Sequence, residues 1–301
     1  MRTVYVGTSE FAANVLERLA ASPHRPALVV TRPDRPRGRG RRLAPPPVAV
    51  TAAELGIDLD QPASINDPQA LARIDAVEPE AICVCAFGAL IREPLLSAYR
   101  MLNVHPSLLP RWRGAAPIER AIMAGDERTG VSIMILTAGL DSGPVCLVQP
   151  EPIAPDDTYG TLAGRLQASG GALLVRALDE HPACSEQDDA LATYADKISS
   201  EERALDPRRS AAELARVVRA LTPHIGAHVA LADGSSLGVR AARAVPSGPG
   251  LPPVGTVSFD GPVPVLGCGD GALELQVVQP PGRRAMRGED FLRGRRAAAD
   301  R

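Results

Sequence analysis

Met101-Leu102-Asn103-Val104-His105-Pro106-Ser107-Leu108-Leu109-Pro110-Arg111-Trp112-Arg113-Gly114-Ala115-Ala116-Pro117-Ile118 is the stretch on which the reading of this chain turns. Met101 to Val104 suit a short buried strand. Pro106 has no N–H for a ladder and Pro110 interrupts again, so the chain must turn out of the sheet here. Asn103 and His105, two apart, share one face of that strand, about 7 Å along the backbone. The only tryptophan of the chain follows between two arginines, and Ala115-Ala116-Pro117 resembles a helix start. Either polar residue alone reads as local capping of a strand end. Both on one face, beside Ser107 and a cationic aromatic loop at the carboxyl edge of a parallel sheet, point to a site.

Val4–Gly7, Ser9–Leu19 and Ala27–Thr31 read as strand, helix and strand, a β-α-β unit. It lacks G-x-G-x-x-G, having Gly7 alone in its first turn, so no dinucleotide site is expected. A helix ends at Gly56, and another starts at Asn66 or Asp67 with Pro68 in its first turn. Ala81–Ala86 is apolar throughout, as a central parallel strand should be, and Phe87-Gly88-Ala89-Leu90 leaves it at the edge where Asn103 and His105 emerge. Gly130–Leu136 is a further strand ending in the turn Thr137-Ala138-Gly139-Leu140-Asp141-Ser142-Gly143-Pro144. The bland reading of Asp141 is ordinary turn chemistry. A strand over Val145–Gln149 and a helix over Tyr159–Leu178 complete an α/β domain of mostly parallel strands, residues 1–184. Residues 185–206 are polar, with only Leu191–Ile198 suggesting order, and read as a linker. Residues 207–301 open with an amphipathic helix, Ser210–Leu221, and continue as about five short strands between turn signals, a small barrel of the OB type.

Two domains are the natural division of 301 residues. Hydrophobic content of 45% and charge of 23% are those of a soluble protein. No apolar run approaches the roughly 20 residues of a bilayer span, and nothing resembles a secretion signal, so a cytoplasmic protein with no membrane partner is expected. Cys83, Cys85, Cys146, Cys184 and Cys268 are odd in number and lack C-x-x-C, which reads as structural thiols in a reducing compartment. His224 and His228 are spaced for a metal on a helix, but Pro223 and Gly226 argue against a helix, and no metal is expected. The net charge of −2 hides an asymmetry: Thr31–Arg42 carries six arginines against one aspartate and Arg283–Arg301 seven against three acids. Concentrated positive charge on an otherwise acidic chain suggests an anionic partner, nucleic acid foremost, although either stretch alone reads as a solvated basic loop.

An amide, an imidazole and a carboxylate at neighbouring strand ends, with no nucleophile elbow, favour acid–base and oxyanion work over covalent catalysis. Direct acyl transfer to an amine needs that equipment. The amine sheds a proton, and an α-amino group titrates near about 7.7 to 8.0 in model peptides. The oxyanion wants donors such as the Asn103 amide or a His105 N–H, and Asp141 can orient or charge His105.

The central motif, with Val6-Gly7-Thr8-Ser9-Glu10-Phe11-Ala12, Pro33-Asp34-Arg35-Pro36, Gly38-Arg39-Gly40, Gly139-Leu140-Asp141-Ser142-Gly143, Thr193-Tyr194-Ala195-Asp196-Lys197-Ile198 and Gln279-Pro280-Pro281-Gly282-Arg283-Arg284-Ala285-Met286, resembles the methionyl-tRNA formyltransferase family over nearly the whole chain. The resemblance implies a Rossmann-like formyltransferase domain and an OB-like C-terminal tRNA-binding domain. It implies 10-formyltetrahydrofolate as co-substrate and initiator methionyl-tRNA as acceptor, and a monomer is expected. By position, Asn103, His105 and Asp141 match the catalytic trio. Ser107, Leu108, Leu109 and Pro110 match the folate-binding stretch, and Phe87, Gly88 and Leu90 would line the pterin pocket. Arg35, Arg37, Arg39, Arg41 and Arg42 match the loop that grips the tRNA acceptor stem. Pro106 stands where glycine is common, Ser9 where proline is common, and Thr222–Gly226 lacks a tryptophan often found there. Glycinamide ribonucleotide and sugar-nucleotide formyltransferases share Asn-x-His and Asp, but the basic insertion and the C-terminal domain argue against a small acceptor. A hydrolase releasing formate, or an RNA-binding protein without catalysis, are the other readings.

Overall fold

The structure, a computed structural model, describes residues 1–37, 40 and 42–299, except the side chains of Arg37 and residues 297–299. In chain order the elements are β1 Thr3–Gly7, α1 Glu10–Ala20, β2 Pro26–Val30, β3 Arg35–Arg37, β4 Arg42–Ala44, α2 Pro47–Leu55, β5 Asp58–Asp60, α3 Pro68–Val77, β6 Ala81–Cys85, α4 Leu95–Ala98, β7 Met101–His105, β8 Arg113–Gly114, α5 Pro117–Ala124, β9 Arg128–Ile135, β10 Val145–Pro152, α6 Tyr159–Glu180, β11 Tyr194–Ala195, α7 Ala211–Leu221, β12 Ala227–Ala230, β13 Ser236–Pro246, β14 Val257–Ser258, β15 Val265–Cys268, β16 Gly271–Gln279, β17 Met286–Arg287 and α8 Gly288–Ala299.

The chain divides into two units, one of residues 1–117, 128–152 and 163–195, the other of 118–127, 153–162 and 196–301. The first is built on a sheet ordered β10-β9-β7-β6-β1-β2-β5. β1, β2, β5, β6 and β7 run parallel, and β9 and β10 add an antiparallel edge. The expected mostly parallel α/β sheet is therefore present. Helix α1 forms because Phe11, Ala12, Val15, Leu16 and Leu19 recur on one face and are buried, while Ser9 caps the start by accepting the Ala12 N–H at 3.2 Å. Gly7 must be glycine: a Cβ there would meet the Cys85 carbonyl oxygen at 2.8 Å and the Ala12 Cβ at 2.9 Å.

Two readings change. The three-residue β5, too short and too polar to register as a strand, extends the sheet beside β2. The basic insertion, expected as an irregular loop, has flanks that pair antiparallel, Arg35 opposite Ala44 and Arg37 opposite Arg42. Pro36 sits within that ribbon.

The second unit holds an antiparallel sheet ordered β12-β13-β16-β15-β14, with β17 on β16, as expected of a small barrel domain. Its core joins Leu214, Val217, Val218 and Leu221 of α7 to Val229, Val239, Leu266, Leu273, Leu275 and Val278. Ser210 and Glu213 close α7 with a reciprocal capping box, and the bonds that Ser210 donates hold the Glu213 carboxyl below its usual range.

The cysteine reading needs a correction. Cys146 and Cys184 form a disulfide, their Cα atoms 3.9 Å apart. They lie 38 residues apart in sequence and meet because Val145 and Ser185 exchange two backbone hydrogen bonds, which no spacing in the sequence reveals. Cys83, Cys85 and Cys268 are free and buried, and burial pushes the Cys83 and Cys85 thiols up to about 12, so these do act as small hydrophobes. Among the described residues no helix is long and apolar enough to cross a membrane, and no cluster of His, Cys, Asp or Glu could hold a metal ion.

Candidate active site

Strand β7 brings Asn103 and His105 to the same face, both buried. Asn103 lies between Val84 of β6 and Met134 of β9, and His105 opposite Ser132. Pro106 ends the strand as the sequence requires. The loop beyond is held by its own polar groups: Ser107 Oγ, fully buried, donates to the Arg111 carbonyl at 2.6 Å. Ser132 Oγ, also buried, donates to the Ser107 carbonyl at 2.8 Å and accepts the Leu109 N–H at 3.2 Å. The one hydrogen that Ser107 Oγ can donate is thus committed inside the loop. Leu108 packs where a Cβ on Gly130 would lie, 2.5 Å from its Cδ2, so Gly130 makes room for the loop. The left-handed Trp112 (φ 63°) directs its carbonyl at His105 Nε2, 2.9 Å away.

Asp141 does not leave the sheet where His105 does. Because β9 runs antiparallel to β7, its last residue, Ile135, pairs with Leu102 near the start of β7, and the Leu136 N–H reaches the Met101 carbonyl. The expectation of neighbouring strand ends is corrected here. The turn beyond Leu136 doubles back along β7 to deliver its carboxylate. Gly143 permits the tight return, since a Cβ there would lie 2.0 Å from the Ile135 carbonyl oxygen, and Asp141 itself is left-handed (φ 44°). Asp141 Oδ2 accepts the Gly114 N–H at 2.8 Å and lies 3.6 Å from His105 Nδ1.

This geometry selects the tautomer of the His105 ring. A carbonyl only accepts, so Nε2 carries a hydrogen bonded to Trp112. Nδ1 then faces the carboxylate, and a second proton there makes an imidazolium next to a negative charge. The Nδ1–Asp141 gap is too wide for a direct hydrogen bond but close enough for a charge interaction.

The other expected residues fall as follows. Phe87 is buried and its carbonyl accepts from Thr8 Oγ1 at 2.9 Å, which ties the first turn to the loop after β6. Gly88 is left-handed (φ 70°), and its carbonyl accepts from Arg32 at 2.8 Å. Leu90 is 60% exposed, as is Leu140 at 61%, beside Asp141. Arg35 and Arg42 are exposed, whereas Arg39, Arg41 and the side chain of Arg37 lie outside the described residues.

The sequence reading missed the part played by 184–195, taken as linker from residue 185. Thr193 Oγ1 accepts the Trp112 N–H at 2.9 Å, its carbonyl accepts the Arg113 N–H at 2.8 Å, and β11 pairs with β8. Buried Arg113 donates to Gln187 Oε1 and Asp189, and Gln187 donates to the Asp141 and Gly143 carbonyls. Polar composition suggested solvent; these polar groups instead satisfy the site's backbone. The hint in sequence was Leu191–Ile198, the one part of the polar stretch that suggests order, which contains Thr193-Tyr194-Ala195.

Comparison with known proteins agrees with the geometry. The Formyl transferase family profile matches residues 1–178, and that of the Formyl transferase C-terminal domain matches 197–296. Methionyl-tRNA formyltransferase of Methylococcus capsulatus is 41% identical over 307 residues, covering 100% of this chain and 99% of that one. Its counterpart from Pseudomonas entomophila is 43% identical over 303 residues, 98% of this chain and 96% of that one. Among solved structures, HypX from Aquifex aeolicus in complex with tetrahydrofolic acid shares the fold, with a TM-score of 0.66 at 16% identity over 97% of this chain and 47% of that one. A buried asparagine and a buried histidine on one face of β7, profiles that match in both units and relatives more than 40% identical along almost the whole length leave one assignment: this chain belongs to the formyl transferase family, together with the methionyl-tRNA formyltransferases that match it end to end.

Proposed function

We propose that the protein transfers the formyl group of 10-formyltetrahydrofolate to the free amino group of initiator methionyl-tRNA, giving the N-formylated form used to start translation. The observation that carries this reading is the 41% identity along 100% of this chain with a relative named for that reaction. The local chemistry supports it. Asn103 offers an amide N–H to the formyl oxygen as negative charge develops there. His105, its Nε2 committed to Trp112, takes at Nδ1 the proton shed by the attacking amine, and Asp141 stabilises the resulting charge. The new C–N bond forms as the bond from the formyl carbon to the folate nitrogen breaks, and the proton passes to that nitrogen.

Exposed Leu90, buried Phe87 three residues before it, and exposed Leu140 next to Asp141 in the chain offer apolar cover of the kind a flat heterocycle needs. Leu108, Leu109 and Pro110 add apolar surface, and the backbone of 87–90 and 107–110 provides polar edges. When bound, the folate supplies an activated one-carbon acyl group. Arg35, Arg37, Arg39, Arg41 and Arg42 are proposed to meet the acceptor-stem phosphates, and residues 207–301 to add further RNA contacts. The proposed compartment is the cytoplasm and the proposed state a monomer.

The test is to incubate the protein with formyl-folate and charged initiator tRNA, with a charged elongator tRNA alongside, and to measure N-formylation. Formylation of the initiator species is the expected result. Formate release without transfer would make the protein a hydrolase, and transfer to small amines in preference to tRNA would move the acceptor.

A further inference from the structure

The segment after the disulfide bonds to the backbone of Trp112, Arg113, Ala115, Asp141 and Gly143 around the site. Its first contact is the bridge between Val145 and Ser185, which anchors it at the start of β10. Half-buried Gln187 follows. Its Nε2 donates to the Asp141 carbonyl at 2.8 Å and to the Gly143 carbonyl at 2.7 Å, while its Oε1 accepts from Arg113 Nε at 3.0 Å. The amide has one consistent orientation, because two carbonyls can only accept and a guanidinium can only donate. Arg113 is in turn fixed by burial and by Asp189 Oδ1 at 2.8 Å.

Asp141 needs such a hold. It is a non-glycine residue in left-handed backbone, in a turn that must reverse along β7, and a residue in that conformation persists only when its surroundings over-determine it. The Ile135 N–H closes the base of the turn on the Pro144 carbonyl at 2.9 Å, and a hold on the carbonyl of Asp141 itself and on that two residues later fixes the intervening peptides. We propose that Gln187 is a positioning residue for Asp141: its amide clamps the 141–143 backbone and so holds the carboxylate at the Gly114 N–H and the His105 ring. This deepens the proposed function and rests on it for the role of Asp141.

A readout independent of the reaction exists. The Gly114 N–H bonds Asp141 Oδ2, whereas the neighbouring Ala115 N–H bonds the Ala195 carbonyl at 2.8 Å. Gln187→Met keeps the length and removes both donors. Gln187→Glu keeps an acceptor for Arg113 but turns a carboxylate on two carbonyls. In both variants the Gly114 amide should exchange about tenfold faster, with Ala115 unchanged. Turnover should fall by about 10- to 100-fold with KM for folate and tRNA nearly constant. In an Asp141→Asn background Gln187→Met should cost nothing more, since the two substitutions act through one group.

Equal acceleration at Gly114 and Ala115, or an unchanged further loss in the Asp141→Asn background, would make Gln187 a structural residue and overturn the proposal. Wild-type turnover and Gly114 exchange in Gln187→Glu would overturn it as well, leaving the Arg113 contact as the function of Gln187. The exchange arm needs no substrate. A wild-type protein that formylates no tRNA, with Gly114 still responding to Gln187→Met, would sink the proposed acceptor and spare the clamp.

Discussion

Asp141→Asn isolates the charge beside His105. Asparagine keeps the size and can still accept the Gly114 N–H through its carbonyl oxygen, so the backbone contact survives and the negative charge is lost. At the 3.6 Å between Oδ2 and His105 Nδ1, a full charge pair at an effective dielectric constant of about 20 interacts by about 4.6 kcal/mol. At 1.36 kcal/mol per decade, that corresponds to an upper limit of about 10³ in rate. The imidazolium is only partly formed in the transition state and the carboxylate is 16% exposed, so a loss of about 10² to 10³ in turnover is expected. The assay is single-turnover formylation of charged initiator tRNA under saturating formyl-folate, with folate and tRNA binding measured separately and expected to hold. Turnover within about threefold of wild type would refute the assignment of Nδ1 and Asp141 as the proton-handling pair, whatever the overall reaction.

Ser132→Ala removes a buried hydroxyl that bridges the Ser107 carbonyl and the Leu109 N–H; a stability loss of about 1 to 3 kcal/mol in denaturant titration is expected, with weaker folate binding from a loosened loop. Replacing Arg37, Arg39, Arg41 and Arg42 by alanine should weaken tRNA binding and flatten the plot of log affinity against log salt by about two to four units if most of them touch phosphate, and parallel lines of equal affinity would leave the insertion a solvated bystander. Alkylation after unfolding should label Cys83, Cys85 and Cys268 without reductant and all five cysteines with it, read by intact mass. Because burial raises the Cys83 and Cys85 thiols to about 12 from 9.0, their contribution to stability is complete below pH 9 and is lost as pH rises from there towards 12. Each thiol therefore steepens the alkaline fall by about 1.4 kcal/mol per pH unit, and Cys83→Ala with Cys85→Ala should flatten it.

What the sequence determined by itself was whatever is encoded locally. The apolar runs of β1, β6 and β7, the Ser9 cap, the Pro68 start and Gly56 stop of helices, and the exit forced by Pro106 follow from side-chain periodicity and from backbone limits that neighbours cannot lift. The alternation of β7 likewise put Asn103 and His105 on one face before any contact was known. Tertiary structure decided the rest. The antiparallel direction of β9 sets Asp141 at the wrong end of the sheet, and only a turn doubling back corrects it. The tautomer of His105 depends on a carbonyl seven residues away whose direction comes from a left-handed Trp112. The meeting of Cys146 with Cys184 and the grip of Gln187 on Asp141 join segments 38 and 46 residues apart. Composition marked 185–195 as solvent-facing because it counts polar groups, not their partners; whether such a group meets water or a buried carbonyl is settled only when the chain closes on itself.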